Sequence, residues 1–105
     1  MTEIAILERD WQRTVTDALT ALGWTWTHFR VARSAKGWRT PISGHPGFPD
    51  VVAVRGDRVI FLELKSEQGR LSEDQAAWLL ALGLAGAEVH VWRPSDWPEI
   101  EELLR

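Results

Sequence analysis

The sequence predicts an α/β fold, in which a central four-stranded mixed sheet is flanked by helices. Two segments have apolar residues at helical spacing, and four short runs rich in Val, Ile, Phe and Trp are typical of strands. The predicted order is αβββαβ with a further helix at the C-terminal end, which favours layers of helix packed on sheet. The 105 residues contain no repeat, linker or low-complexity tract, so we expect one domain over residues 1–105.

The first predicted helix is separated from the first predicted strand by a glycine. Apolar residues recur at helical spacing from Leu7 to Leu22, and Gly23 is a good helix stop. Residues 24–32 contain Trp, Thr, Phe and Val, which suit a strand. Residues 34–49 hold three glycines and three prolines, so we predict a long loop there, of the kind that tends to be functional.

A β-hairpin is predicted directly after this loop. Residues 51–54 form a continuous apolar run, as expected of a strand buried on both faces. Residues 59–65 form the next predicted strand, and residues 55–58 form the turn between the two.

The C-terminal part predicts a helix, a strand and a last helix. Ser72, followed three residues later by Gln75, is a capping-box pattern that opens the first of these helices. The side chains expected to face inward from it are Leu79, Leu82 and Ala85. The helix should end near Gly86, a strand should follow at residues 89–92, and Asp96 should cap the last helix.

Cysteine and histidine usage limits the chemistry that the chain can perform. The sequence has no cysteine, which excludes disulfides, thiolate zinc sites and cysteine nucleophiles. Its three histidines, at positions 28, 45 and 90, are too scattered for a zinc-binding helix motif. A metal site must therefore rely on carboxylates, which favours a hard cation such as Mg²⁺ or Mn²⁺.

Charge is unevenly distributed along the chain, whose formal net charge is −3. Between residues 28 and 49 there are four cationic side chains and no acidic one, namely Arg30, Arg33, Lys36 and Arg39. This basic strip suits an enzyme that binds a phosphate backbone at one place, and a solvated loop explains the strip alone equally well. No apolar run approaches the ~20 residues of a membrane helix, so we expect a cytoplasmic protein without membrane contact.

Three charged residues stand out at the ends of the predicted hairpin strands. Asp50 immediately precedes the first strand, and Glu63 and Lys65 lie in the second. Because strand side chains alternate, Glu63 and Lys65 point to one face, whereas Leu62 and Leu64 point to the other. A hairpin brings Asp50 within reach of Glu63. Two carboxylates and one ammonium are therefore expected on one face of otherwise apolar strands.

This set of side chains suits metal-dependent cleavage of a phosphodiester. Two carboxylates can bind a divalent cation and leave positions open for water and phosphate. Lys65 can then orient the water or stabilise charge on the phosphate. The alternative is an exposed ion pair between Glu63 and Lys65, which contributes ~0–1 kcal/mol to the stability of the folded protein. The apolar strand around the pair favours the metal site, because charged residues there need a partner.

These residues also resemble a known signature. Residues 47–50 (Gly-Phe-Pro-Asp) and 61–65 (Phe-Leu-Glu-Leu-Lys) resemble the Pro-Asp…(Asp/Glu)-x-Lys motif of the PD-(D/E)XK nuclease superfamily. Residues 69–72 (Gly-Arg-Leu-Ser), with Gln75, are similar to the VRR-NUC family, also called virus-type replication-repair nucleases. The likeness extends from the first helix to Trp92, and the predicted order of elements is that of the superfamily's αβββαβ core.

The resemblance implies a role for each of these residues. Asp50 and Glu63 would bind Mg²⁺ or Mn²⁺ together with the Leu64 backbone carbonyl, and Lys65 would act on the water. An acid on the first helix completes the site in related enzymes, and Glu8 is the best match. Its alternative role is that of a first-turn acid stabilised by the helix dipole.

The resemblance also implies a substrate and a catalytic helper. Gln75 matches a family position near the catalytic site, a role that is compatible with the capping box. Family members cleave DNA to leave a 5′-phosphate, and many prefer junctions or flaps and form homodimers. We therefore expect a metal-dependent DNA endonuclease of phage or bacterial replication, recombination or repair.

Two other functions are compatible with the sequence. The chain can be a non-catalytic nucleic-acid-binding subunit that keeps a nuclease-like fold, although such a subunit has no need of paired carboxylates. It can also be a metal-dependent hydrolase of another phosphoester. The basic strip and the lack of a nucleotide-binding glycine motif count against this third function.

Overall fold

The structure of the chain, a computed structural model, describes residues 8–29, 32–34, 37–39 and 43–105, and for residues 32–34 and 37–39 it describes the backbone alone. The helices and strands in chain order are α1 (Glu8–Ala21), β1 (Thr25–His28), β2 (Ala32–Ser34), β3 (Gly37–Arg39), β4 (Val51–Arg55), β5 (Arg58–Leu64), α2 (Glu73–Leu84), β6 (Glu88–Trp92) and α3 (Trp97–Leu104). A short 3₁₀ turn at Pro94–Asp96 leads into α3.

The central sheet has four strands in the order β1-β4-β5-β6. The pairs β1–β4 and β4–β5 are antiparallel, and β5–β6 is parallel, so the sheet is mixed and the predicted α/β fold class is confirmed. Val51 pairs with Leu62 in the β4–β5 hairpin, and Leu64 pairs with Trp92. The beginning of β4 and the end of β5 therefore meet in the two middle strands, where the candidate site was expected.

A second, two-stranded antiparallel sheet is formed by β2 and β3. The predicted loop over residues 34–49 is therefore wrong in part, since residues 34 and 37–39 lie in strands. The single strand predicted over residues 24–32 is likewise divided, because β1 ends at His28. These two three-residue strands, which among the described strands pair with each other alone, carry no apolar run, and such a run is the signal on which the strand predictions depended.

The hydrophobic core lies between one face of the sheet and the helices α1 and α3. From α1 it receives Trp11, Val15 and Leu19, which are spaced four residues apart on one side of the helix. The remaining core residues come from the sheet, the segments beside it and α3, namely Trp24, Val51, Ala53, Ile60, Leu62, Leu64, Trp92, Ile100 and Leu104. β4 alternates between buried residues and the exposed Val54, so the prediction that both of its faces are buried is wrong.

Helix α2 lies apart from this core. It begins after Ser72 and is followed by Gly86 in the left-handed region (φ +90°), as predicted. Of its residues expected to face inward, Leu79 and Leu82 are half-buried and the following Ala85 is exposed. The prediction for Ala85 is wrong, because α2 packs against β6 through only part of its surface.

The start of α3 also differs from expectation. Asp96 occupies the N-cap position, but its carboxylate accepts the Arg93 N–H (2.8 Å) and no N–H of α3. The side chain therefore closes the preceding 3₁₀ turn instead of capping the helix.

Candidate metal centre and cleft

Asp50 lies at the open end of the β4–β5 hairpin. It directly precedes β4, and its Oδ2 accepts the backbone N–H of Leu64 on β5 at 3.0 Å. This bond crosses the hairpin and holds the Asp50 carboxylate beside Glu63, the residue before Leu64. The spatial arrangement predicted for the hairpin is therefore present.

Glu63 is a buried carboxyl group that lies against the Asp50 carboxyl. The side chain has 0% exposure, and no N–H or hydroxyl donor within the described part of the chain reaches either carboxyl oxygen, so a hydrogen bond with Asp50 requires a proton on one of the two acids. Burial, together with the neighbouring Asp50 carboxyl, raises the pKa of Glu63 from 4.5 to about 9. The Lys65 ammonium opposes this rise and the Glu8 carboxylate adds to it. A carboxyl group in this environment needs a proton or a cation to offset its burial.

Lys65 continues the line of β5 beside this group. Its backbone N–H donates to the Trp92 carbonyl oxygen at 3.0 Å, and its half-buried side chain is close enough to Glu63 to affect the carboxyl pKa. The Trp92 oxygen also accepts the indole Nε1–H of Trp11 at 3.1 Å, so α1 is attached to the sheet beside Lys65. Leu62 and Leu64 are fully buried in the core, as the predicted alternation requires.

Glu8 is near this centre but does not complete a cluster of ligands. It is the first residue of α1 and is exposed, and with Asp50 it lines a cleft of about 980 Å³ between α1 and the β1–β4 edge. Among the residues that the structure describes, no three His, Cys, Asp or Glu side chains converge as metal ligands. A role for Glu8 in metal binding remains a prediction.

Gln75 is engaged in the predicted capping box. Its Oε1 accepts the Ser72 N–H at 2.9 Å, and its own N–H donates to Ser72 Oγ at 3.1 Å. The side chain therefore stabilises the start of α2. A catalytic role for Gln75 remains a prediction.

The basic strip is only partly included in the described residues. Arg33 lies on β2 and Arg39 on β3, where the backbone alone is described, and Arg30 and Lys36 lie outside the described residues. Two cations that the sequence analysis missed, Arg9 and Arg13, line the cleft. Their four-residue spacing on α1 was the available signal, since such residues share one helix face.

The donor set fits a hard divalent cation. Asp50 and Glu63 supply two carboxylates, and the unpartnered oxygens of Glu63 are the ones that a cation would satisfy. Two protein carboxylates leave coordination positions for water and substrate, which is how Mg²⁺ is commonly held.

A mixed sheet with adjacent carboxylates at its two middle strands is the arrangement that defines the PD-(D/E)XK nuclease class. A family comparison narrows this class, because the model of the VRR-NUC domain matches residues 2–96. The chain therefore belongs to the VRR-NUC domain family and is a nuclease-family domain.

A solved structure agrees with this assignment. Hjc of Archaeoglobus fulgidus, a Holliday junction resolvase from an archaeal hyperthermophile, is similar to this chain with a TM-score of 0.52 and 25% sequence identity. The match covers 82% of this chain and 69% of the resolvase chain. A comparison with curated proteins found no match. None of the described helices combines the length and the apolar composition that a membrane span requires.

Proposed function

We propose that this chain is a metal-dependent DNA endonuclease whose cation is bound by Asp50 and Glu63. The observation that carries this proposal is the Glu63 carboxyl, which is fully buried, is reached by no donor among the described residues and lies beside the Asp50 carboxyl. An unpaired buried acid costs stability, and a bound cation would remove that cost.

Mg²⁺ or Mn²⁺ is the cation that this donor set favours, with the Leu64 carbonyl as a further oxygen ligand. When bound, such an ion lowers the pKa of its water and neutralises charge on the phosphate. Glu8, at the start of α1, would act through an intervening water on the cleft side of the site.

Lys65 would complete the reaction centre. Its ammonium lies near Glu63, where it can hold the attacking water or stabilise negative charge on the phosphate. Gln75 would assist by keeping the start of α2 in place beside the loop that leads to Asp50.

DNA is the proposed substrate. The cleft beside Asp50 is lined by Arg9 and Arg13 and also by four acids, so a phosphate there would depend on the two arginines together with the proposed cation. The strip formed by Arg30, Arg33, Lys36 and Arg39 would bind phosphates that flank the cut. The similarity to a Holliday junction resolvase supports branched DNA as the preferred form. We further propose one domain over residues 1–105 and action in the cytoplasm of a bacterial or phage-infected cell.

The alternative of a non-catalytic DNA-binding subunit is disfavoured by Glu63. A protein whose site has lost its catalytic function gains stability when such an acid is replaced by an apolar or amide side chain. This chain keeps Glu63 buried beside Asp50 and Lys65.

Metal-dependent cutting is the direct test. We expect the wild-type protein to cleave DNA with Mg²⁺ or Mn²⁺, to be inactive in EDTA, and to favour four-way or flap DNA over linear duplex. Asp50→Ala should abolish cleavage, whereas Asp57→Ala, which removes an exposed acid from the β4–β5 turn, should not. Gel analysis of labelled linear, flap, splayed-arm and four-way DNA gives the result. Cleavage by Asp50→Ala at the wild-type rate, or by the wild type in EDTA, would refute the proposal.

A homodimer is the second part of the proposal, and an apolar face of α2 supports it. Leu80 and Leu84 are 64% and 80% exposed, and Ala77 and Ala81, on the same side of the helix, are also exposed. We call these four residues the α2 seam. Apolar surface of this kind usually marks a contact with another macromolecule.

A second copy of the same chain fits the α2 seam. A twofold contact places one surface against itself, so charges within it would repel their own copies, and residues 76–87 carry none. An antiparallel helix with its axis between residues 80 and 81 would set Leu84 over Ala77 and Leu80 over Ala81. Large side chains would then meet small ones throughout the seam.

The dimer is tested by the mass of a double variant. We expect the wild type to have twice the 11.9 kDa chain mass in light scattering, and Leu80→Glu/Leu84→Glu to be monomeric at the same concentration, because four buried charges would oppose each other. Leu103→Glu, which alters a partly exposed leucine on α3, is the control and should stay dimeric. Circular dichroism should show all three proteins folded. A monomeric wild type, or a dimeric double variant, would contradict the α2 seam contact.

A further inference from the structure

Phe29 is an exposed aromatic residue next to the proposed metal centre. It follows β1, and its backbone N–H donates to the Asp50 carbonyl oxygen at 2.8 Å. Its side chain is 52% exposed and lines the same cleft as Asp50 and Glu8. A large apolar ring is therefore presented to solvent from the residue whose backbone is hydrogen-bonded to a proposed metal ligand.

The ring of Phe29 is supported from behind. It meets Phe48 edge to face, with 5.6 Å between the ring centroids. Phe48 is held in turn by Phe61 at 6.0 Å and by Trp78 at 5.0 Å, both also edge to face. This aromatic cluster restricts the ring while much of its surface remains in the cleft. A side chain that is already restricted loses little conformational entropy when it contacts a ligand.

Phe29 differs in this respect from Trp26, the other exposed aromatic residue of the cleft. Trp26 is 37% exposed, and its Nε1–H donates to the Thr20 hydroxyl at 2.9 Å, which ties the indole to α1. Phe29 has no polar atom in its side chain and can interact with a substrate only through its ring. Because Phe29 is hydrogen-bonded to Asp50 and lines the same cleft, its ring is within reach of a nucleotide whose phosphate lies at Asp50.

We infer that Phe29 stacks on an unpaired base adjacent to the phosphate that is cut, an inference that rests on the proposed function. In an intact duplex, the bases are stacked on each other and are not available to a side chain at the backbone. At a branch, flap or gap, a base without a partner can turn out and stack on an aromatic ring. Arg9 and Arg13 of the same cleft would bind the flanking phosphates without regard to base pairing.

Phe29 would therefore determine the preference for DNA with an unpaired base, whereas Arg9 and Arg13 would bind phosphates in paired and unpaired DNA alike. The wild type should bind DNA with one unpaired base beside the cut about tenfold more tightly than the same sequence fully paired. This preference should depend on the aromatic ring and on no other property of residue 29.

The test compares two variants that separate aromaticity from size. Phe29→Leu keeps an apolar contact with Phe48 but cannot stack, whereas Phe29→Tyr keeps the ring. Val59→Ala, at an exposed position of β5 outside the cleft, is the control. Binding is measured in EDTA, without cleavage, to DNA carrying 2-aminopurine at the unpaired position, and cleavage is measured separately with Mg²⁺.

We expect the wild type, Phe29→Tyr and Val59→Ala to quench the 2-aminopurine fluorescence and to retain the preference. Phe29→Leu should lose both and bind the two DNAs alike. If Phe29→Leu behaves as the wild type while DNA is still cleaved, stacking is refuted and the proposed nuclease function stands. If the wild type neither binds nor cleaves any of the DNAs, both fail together.

Discussion

Glu63→Gln is expected to abolish cleavage and at the same time to stabilise the metal-free protein. Cleavage should fall by at least ~10³-fold, because loss of a ligand of the proposed cation would remove several kcal/mol of transition-state stabilisation. Stability should rise because glutamine fills the same space without a charge to bury. The two effects have opposite signs, which distinguishes a functional acid from one that supports the fold.

The pH dependence of the stability change follows from the pKa of Glu63. Its folded-state pKa is raised to about 9 from 4.5, so its contribution to stability is fully present below 4.5 and is lost as the pH rises toward 9. In EDTA, wild type and Glu63→Gln should unfold at similar temperatures at the acid end of this window. Toward pH 9 the variant should unfold higher, by about 5 °C or more. Mg²⁺ should stabilise the wild type alone.

Glu88→Gln provides a matched control, because its expected effect on stability has the opposite sign. Glu88 is bound by Arg58 at 2.7 Å, and this hydrogen-bonded ion pair lowers the pKa of Glu88 to about 2. Its contribution to stability is present above 4.5 and is lost as the pH falls toward 2, so the variant should be less stable than wild type at neutral pH by about 1 kcal/mol. If thermal unfolding in EDTA at pH 9 shows Glu63→Gln to be less stable than the wild type, the buried Glu63 carboxyl does not destabilise the metal-free protein and this prediction fails.

Gly47→Ala is expected to destabilise the protein by about 3 kcal/mol and to reduce cleavage. Gly47 has a φ of +96°, which L residues avoid, and an added Cβ would lie 2.6 Å from the backbone carbonyl carbon of Asp74. The loop would have to move away from α2. Asp50 lies three residues further on, so the displacement should reach the proposed metal centre.

Gly44→Ala separates the cost of the backbone conformation from the cost of the close contact with Asp74. Gly44 has a similar φ of +99°, but no neighbouring atom lies within 4 Å of the added Cβ, so only the backbone cost of about 1 kcal/mol remains. Urea unfolding and cleavage rates of both variants give the comparison. Adding Asp74→Gly to Gly47→Ala should not restore stability, because the nearest atom belongs to the backbone. Equal losses in the two alanine variants would show that the close approach to α2 is unimportant.

The parts of the site that could be predicted from the sequence depend on local geometry. Strand alternation and one short turn are sufficient to bring Asp50, Glu63 and Lys65 together, and both can be recognised in 16 consecutive residues, 50–65. The capping box of Ser72 and Gln75 is local in the same way.

The remaining features depend on contacts between distant segments. The position of Glu8 is set by how α1 packs on the sheet, which its own sequence does not contain. Helix α2 has apolar residues around most of its circumference, so periodicity could not show that Leu80 and Leu84 are exposed. The exposure of Phe29 is likewise decided by Phe48 and Trp78, which lie 19 and 49 residues away along the chain.

The carbonyl oxygen of Trp92 joins three elements at one atom. It accepts the backbone N–H of Lys65 and the indole of Trp11, which is 81 residues distant in sequence. α1 carries Glu8, Arg9 and Arg13 on one wall of the cleft, and Lys65 directly follows β5. Trp11 therefore fixes the start of α1, with its cleft residues, to the same backbone atom that holds Lys65. We expect substitutions that shift the buried side of α1 to change cleavage as well as stability.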